Sequence, residues 1–328
     1  MTTRRTFLVA LGAGLLGGPG VSLAQSRPAR IGFLYVGSRQ SALDTGRLGA
    51  FVQGMTELHY VEGTSFIIEG RFGDGKVERL GALAAELVRL KVDVIVATGT
   101  PSLRALQHST TTIPVVSTVT ADPIGDGFAA TLARPSGNIT GLTLSAGDLG
   151  PKQLELLRTA MPQLARVAVL TRSQNPAHPR QVVRIMSVAQ KVGMQVMLAE
   201  ADTLDEVERE FATLTKARVG AVIVLADTLF VQESRAIATQ ATRYRMPLIG
   251  GNPEFCEAGG LMSYGANLND NFRRAATYVD KILKGARPSD LPFEQPTRYS
   301  LLINRKSAIA LGLTLPQALL IKADEVIQ

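Results

Sequence analysis

Among 328 residues the sequence has one cysteine, three histidines, no tryptophan and only 5% aromatic residues. Cys256 has no partner for an intrachain disulfide, and with His59, His108 and His178 scattered along the chain it builds no Cys/His zinc cluster. No metal is expected, and none is needed, because a chain of this length buries a sizeable core and has room for two lobes. A Gly-x-Ser-x-Gly elbow is missing, which leaves a Ser-His-Asp triad without support. No Walker sequence is present, and the first strand candidate runs into Gly37-Ser38 without the Gly-x-Gly-x-x-Gly spacing of a dinucleotide site, so no cofactor is expected. Lys and Arg exceed Asp and Glu by 35 to 28, yet they form no run of five or six and do not interleave with aromatics. That excess reads as a solvated surface and excludes nucleic acid as a partner. No helix-turn-helix precedes residue 30, which disfavours a transcriptional regulator.

The one long uncharged stretch lies at the N-terminus. Arg4-Arg5 precede Thr6 to Leu23, rich in Leu, Gly and Ala, and Ser22-Leu23-Ala24 places small residues at a cleavage site. Residues 1–24 therefore read as a signal peptide. Gly17-Gly18-Pro19-Gly20 breaks the apolar part short of the ~20 residues that a membrane span requires. The Arg pair fits a twin-arginine signal, and a general secretory signal is the alternative. Export to the periplasm is expected by either route. Cleavage after Ala24 removes two of the 35 basic residues and leaves a charge of +5.

Beyond this segment, short Val- and Ile-rich runs alternate with longer stretches of helical period, the pattern of parallel sheets covered by helices. Strands are expected at 30–36, 66–69, 92–97, 115–119, 167–171, 195–199, 221–226 and 247–250. Helical stripes fall on Leu48, Phe51, Met55 and Leu58, on Leu80, Leu83, Leu87 and Leu90, and on Phe272, Ala275, Ala276, Val279 and Ile282. The stretches 141–150 and 288–295 interrupt the alternation and read as crossings between two doubly wound α/β lobes.

Small polar residues directly follow the strand candidates, where open α/β sheets place their ligands. In the first half these are Ser38, then Thr98, Gly99, Thr100 and Ser102, then Thr120 and Asp122; in the second half they are Asn175, Asp227 and Asn252. Singly, each also reads as a helix cap or a turn. As a set facing a cleft they describe a small-molecule pocket lined by hydroxyls and backbone N–H groups.

Several long stretches carry a family resemblance: RIGFLY (30–35), FVQGMTELHYVEGTSFIIE (51–69), VDVIVATGTP (92–101), DPIGDGFAATLARPSGNITG (122–141), KQLELL (152–157), EAGGLMSYG (257–265), RRAATYVDKILKG (273–285), DLPFEQP (290–296) and ALGLTLP (310–316). Together they resemble the substrate-binding proteins of ABC transporters, the family that includes tryptophan- and tyrosine-type uptake receptors. The sequence departs from the family pattern at Ser136, at Ser117 to Thr120 and at Arg172-Ser173-Gln174, positions that flank the expected pocket and bear on which ligand it takes. The resemblance implies a type I periplasmic binding fold, two lobes on a three-crossing hinge, with 29–143 plus 262–290 in one lobe and 144–261 plus 291–328 in the other. It places Tyr264 near the cleft. It implies no catalysis but a monomeric receptor that closes on an amino acid, aromatic acid or related carboxylate and presents it to a membrane permease and its ATPase. Two other classes remain compatible with the residues alone: a secreted α/β isomerase or hydrolase using Asp122 and Asp227, and a sensory binding subunit.

Overall fold

The computed structural model describes residues 27–144 and 149–328; the signal segment at 1–24 lies outside the described residues. The first half builds β1 (Ala29–Tyr35), α1 (Arg39–Asp44), α2 (Arg47–Glu57), β2 (Phe66–Phe72), α3 (Leu80–Arg89), β3 (Val94–Thr98), α4 (Gly99–Ser109), β4 (Val115–Val119) and β5 (Ile139–Gly141). The second builds α5 (Leu149–Ala160), β6 (Arg166–Thr171), α6 (His178–Lys191), β7 (Gln195–Glu200), α7 (Leu204–Lys216), β8 (Ala221–Val224), α8 (Thr228–Gln232), α9 (Ser234–Arg243), β9 (Leu248–Gly250) and α10 (Pro253–Glu257). The chain closes with β10 (Met262–Gly265), α11 (Leu268–Leu283), β11 (Ser300–Asn304), α12 (Arg305–Ala310), α13 (Gln317–Lys322) and β12 (Glu325–Ile327).

These strands form two sheets, ordered β2-β1-β3-β4-β5 and β12-β11-β10-β9-β8-β6-β7. All pairings are parallel except β10 with β11. Each sheet has a switch point, between β1 and β3 and between β6 and β8, where the helices on either side diverge and leave a crevice at the carboxyl edge. The fold is that of a type I periplasmic binding protein.

The apolar stripes do what their spacing predicts. Phe33 of β1 packs against Phe51 of α2 (ring centroids 6.3 Å apart) and against Phe72 and Phe272 (6.2 Å each), tying α2 and α11 to one face of the first sheet. Each fully buried Phe contributes about 1.5–3 kcal/mol relative to exposure. The two helices touch closely at Gly54, where a Cβ would lie 2.2 Å from the Arg273 carbonyl oxygen, so any larger residue would force them apart. On the other face of the sheet, α3 buries Leu80 and Leu87.

The expected lobe boundary at 262 needs correction. Met262 and Ser263 pair with β9, and all of β10 pairs with β11, so this strand belongs to the second sheet. Its residues carry the chain along the second core, and the return to the first core comes at Ala266, with α11 packed under β4. The boundary expected at 291 comes too early: Leu291 and Phe293 are buried in the first half's clusters, and Glu294 bridges to Leu142 before β11 begins. The backbone thus passes between the sheets three times, after β5, after β10 and before β11.

Candidate functional site

The carboxyl edges of the two sheets face each other across a cavity with about 670 Å³ of space free of protein atoms, counting its mouth. Its walls combine residues after β1, β3 and β4 with residues after β6, β8 and β9. Of the residues expected from sequence, Thr98, Gly99, Thr100 and Thr120 line it from the first half, and Asn175, Asp227 and Asn252 from the second.

The polar groups of the first wall are arranged by secondary structure. Thr98 ends β3 and precedes α4, but its hydroxyl is engaged with Thr118 Oγ1 at 2.7 Å and does not cap the helix. The first-turn N–H groups of α4 are thereby left without a side-chain partner, and a helix N-terminus carries a partial positive charge suited to an anion. Gly99 adopts φ +81°, a left-handed conformation that glycine takes without strain, and a Cβ there would reach to 3.7 Å from Thr228 Oγ1 on the opposite wall. Thr120 is fully buried and its hydroxyl has no hydrogen-bond partner among the described residues.

The second wall is acidic and rigidly held. Asp227 accepts hydrogen bonds from the Leu229 backbone N–H (2.8 Å) and from Asn175 Nδ2 (2.8 Å), while Asn175 Oδ1 accepts from Ala177 N–H (3.1 Å). Arg172 Nη1 stands 3.6 Å from Asp227 Oδ1, a charge contact rather than a hydrogen bond, and Arg172 Nη2 donates to the Gly75 carbonyl of the other half at 2.7 Å. Behind them His178 Nδ1 accepts from the Arg172 backbone N–H at 2.8 Å, so the ring proton sits on Nε2, 3.3 Å from the Ala226 carbonyl. Burial lowers the His178 pKa below its ordinary value and outweighs the raising influence of Asp227, keeping the ring neutral.

Between these poles the cavity is apolar, walled by Val36, Val119, Leu144, Val231, Leu268 and Phe272, with Tyr35 and Arg47 at its edge. Burial pushes the Tyr35 phenol above its ordinary value, against opposing influences from Ser41, Arg47 and Thr45, so it stays protonated and able to donate. Arg47 is buried, donates to Asn269 Oδ1 at 2.7 Å and pairs with Glu254 at 2.5 Å. Tyr35 ends β1 but is not among the small polar residues that follow the strands, and Arg47 lies away from the strand ends; its available signal was an arginine opening a helix, where its charge opposes the macrodipole and calls for a partner.

Four expected residues stand elsewhere. Ser38 caps α1, accepting from Ser41 N–H at 3.0 Å, and its own N–H faces Gln232 Oε1 at 3.4 Å across the rim. Ser102 is buried within α4, behind the wall. Asp122 accepts from Gly125 N–H at 2.9 Å and lies 3.6 Å from Arg184 at the mouth, so it shares no pocket with Asp227 and the paired-carboxylate arrangement of the enzyme alternative does not form. Tyr264 stacks on Tyr299 (5.8 Å, 22°) and lines a separate cavity with Leu149 and Pro151, next to the crossings. Cys256 is buried with its thiol pushed up to about 12, chiefly by burial, and takes no part in the site. Among the described residues no cluster of metal-binding side chains occurs, and no helix is long and apolar enough to cross a membrane.

Two lobes of doubly wound sheet meeting over a cavity that both of them line define a binding protein, and the relatives agree. The model of the ABC transporter substrate binding protein family matches residues 39–327, and the chain belongs to that family. A tyrosine-binding protein of Clostridioides difficile (strain R20291) is 25% identical over 289 residues, covering 87% of this chain and 82% of that protein. The ABC domain from Streptococcus pneumonia solved in complex with L-Trp is 25% identical, with a TM-score of 0.83 over 92% of this chain and 100% of that one. A conserved domain protein of Vibrio cholerae superposes with a TM-score of 0.84 at 24% identity over the same shares of the two chains. The protein is the substrate-binding component of an ABC transporter.

Proposed function

We propose that the protein is an exported receptor for a zwitterionic α-amino acid with an aromatic or other large apolar side chain. The observation that carries this reading is the pairing of opposite poles in one cavity: the uncapped N-terminus of α4 with the Thr120 hydroxyl on one wall, and Asp227 held by Asn175 on the other. A carboxylate fits the first and an ammonium group the second, and Phe272, Leu268 and Val231 offer an apolar surface for the side chain. The tyrosine-binding and L-Trp-bound relatives support the same class of ligand.

In this reading Thr98, Gly99, Thr100 and Thr120 hold the ligand from lobe one, and Asn175, Asp227 and Asn252 reach it from lobe two. Contacts to both lobes favour the closed state by their differential affinity, and the closed form is what a permease and its ATPase recognise. Residues 1–24, with Arg4-Arg5 and Ser22-Leu23-Ala24, direct export before removal, and the receptor works as a monomer without catalysis.

Calorimetric titration with L-tyrosine, L-tryptophan and L-phenylalanine, alongside their analogues lacking the ammonium group, tests the assignment. One of the amino acids binds at a single site and its analogue binds at least tenfold more weakly, which corresponds to about 1.4 kcal/mol. Equal affinity for both forms, or no binding of any amino acid, contradicts it.

A further inference from the structure

Asp126 lies just outside the cavity, in the turn that follows β4, and its side chain is completely buried. It joins two groups that belong to different lobes. On the inner side Thr100 Oγ1, on the cavity wall, donates to Asp126 Oδ2 at 3.1 Å. On the outer side Arg180 of α6, in the opposite half, ion-pairs with Asp126 Oδ1. The turn itself is fixed independently: Asp126 N–H donates to the Asp122 carbonyl at 2.8 Å, and Arg104 donates to the Asp126 carbonyl at 2.7 Å.

Two consequences follow from the donor inventory. An ionised carboxylate only accepts, so the single proton of the Thr100 hydroxyl is committed to Asp126, and the oxygen turns its lone pairs to the cavity. Arg180 can reach Asp126 only while the lobes are together, so opening removes the cation from a carboxylate that has few other partners.

We propose that Asp126 is a positioning residue that makes Thr100 an acceptor for the ligand's ammonium group and, through Arg180, links that polarity to lobe closure. The first half of this inference rests on the amino-acid reading above; the second does not. Asp126 never touches the ligand. Its charge favours a cationic donor at Thr100 and disfavours a carboxylate there, which leaves the ligand carboxylate to the backbone N–H groups of α4.

The test uses two measurements. Cysteines placed at the cleft rim by Arg39→Cys and Gln232→Cys, bridged by a short bifunctional thiol reagent without ligand, report how often the lobes meet; native Cys256 is buried and does not compete. Asp126→Asn and Arg180→Gln each slow cross-linking roughly fivefold, and the double variant is no slower than either single one. Unchanged rates, or slowing that multiplies in the double variant, overturn the link to closure. In the second measurement, the ratio of affinities for L-tryptophan and indole-3-propanoate falls about tenfold in Asp126→Asn and stays at the wild-type value in Arg180→Gln. Equal changes in both variants overturn the polarity of Thr100. If neither L-tryptophan nor L-tyrosine binds the wild type, the amino-acid reading and the Thr100 claim fall together, while cross-linking still decides the link to closure.

Discussion

Arg47 and Glu254 are 207 positions apart and meet at 2.5 Å across the cleft, one from the first turn of α2 and the other from α10. Their side chains are 5% and 20% exposed, so the pair forms in a largely dry place that exists only while the lobes are together. Removing one partner from a fully buried pair costs ~3–5 kcal/mol, and the remaining exposure of Glu254 reduces this to the order of 2 kcal/mol. Arg47→Gln and Glu254→Gln should each raise Kd roughly thirtyfold by calorimetry. The double variant should lose little more than either. If the two losses add, the pair does not act across the cleft.

Asp227 is predicted to hold the ammonium group. Asp227→Asn keeps an oxygen to cap α8 but loses the charge, and should weaken amino-acid binding by about 1.5–3 kcal/mol. An analogue without the ammonium group should bind the variant and the wild type alike. A parallel loss for that analogue would assign Asp227 to shape rather than charge. Because buried Arg172 keeps Asp202 but loses the second of its two neighbouring carboxylates, a lower Tm is expected in the same variant.

Thr98 and Thr120 should behave differently although both line the cavity. The Thr98 hydroxyl is bonded to Thr118, so Thr98→Val should destabilise the ligand-free protein by about 1 kcal/mol. The Thr120 hydroxyl is unpaired among the described residues, so Thr120→Val should leave ligand-free stability within about 0.5 kcal/mol and still weaken binding by about 1.5–3 kcal/mol if it meets a carboxylate. Denaturant titration and calorimetry on the same samples separate the two effects. Equal stability losses would show that Thr120 is satisfied within the protein.

His178 gives the fold a pH dependence of definite sign. Its folded pKa lies below the ordinary 6.5, so as the pH drops below about 6.5 the unfolded chain takes up a proton that the folded protein refuses. Stability is therefore complete above that pH and falls below it, by up to about 1.4 kcal/mol per pH unit until the folded ring also titrates. His178→Asn retains an acceptor for the Arg172 N–H and should flatten this part of the curve. An identical slope in wild type and variant between pH 7 and 5 would place the proton uptake elsewhere.

Much of the fold was legible because burial on both faces turns central parallel strands into runs such as Val94–Thr98 and Val115–Val119. The strands absent from the sequence reading, β5, β10, β11 and β12, have three to five residues each, and of these only β11 carries three consecutive apolar residues. In β10 the residues MSYG alternate too briefly to announce a strand. The strand-end hydroxyls and Asp227 were legible because the carboxyl edge of an α/β sheet is fixed by topology. Arg47, Tyr35 and Phe272 were not: one opens a helix, one ends the first strand, and one sits in an apolar helical stripe that reads as core. Only the packing of α11 against β4 and α2 brings Phe272 to the cavity. Asp122 and Asp126 show the limit from the other side, because four residues in one turn separate a carboxylate at the mouth from one bonded to the pocket wall.

The central claim, a two-lobed receptor that closes on an amino acid, is tested most directly by small-angle X-ray scattering of the mature protein with and without saturating L-tyrosine or L-tryptophan, with binding verified on the same sample. The account predicts a smaller radius of gyration with ligand and, in the Asp227→Asn variant, a smaller change at the same ligand concentration. A radius of gyration that is the same for free and bound wild type would contradict hinge closure.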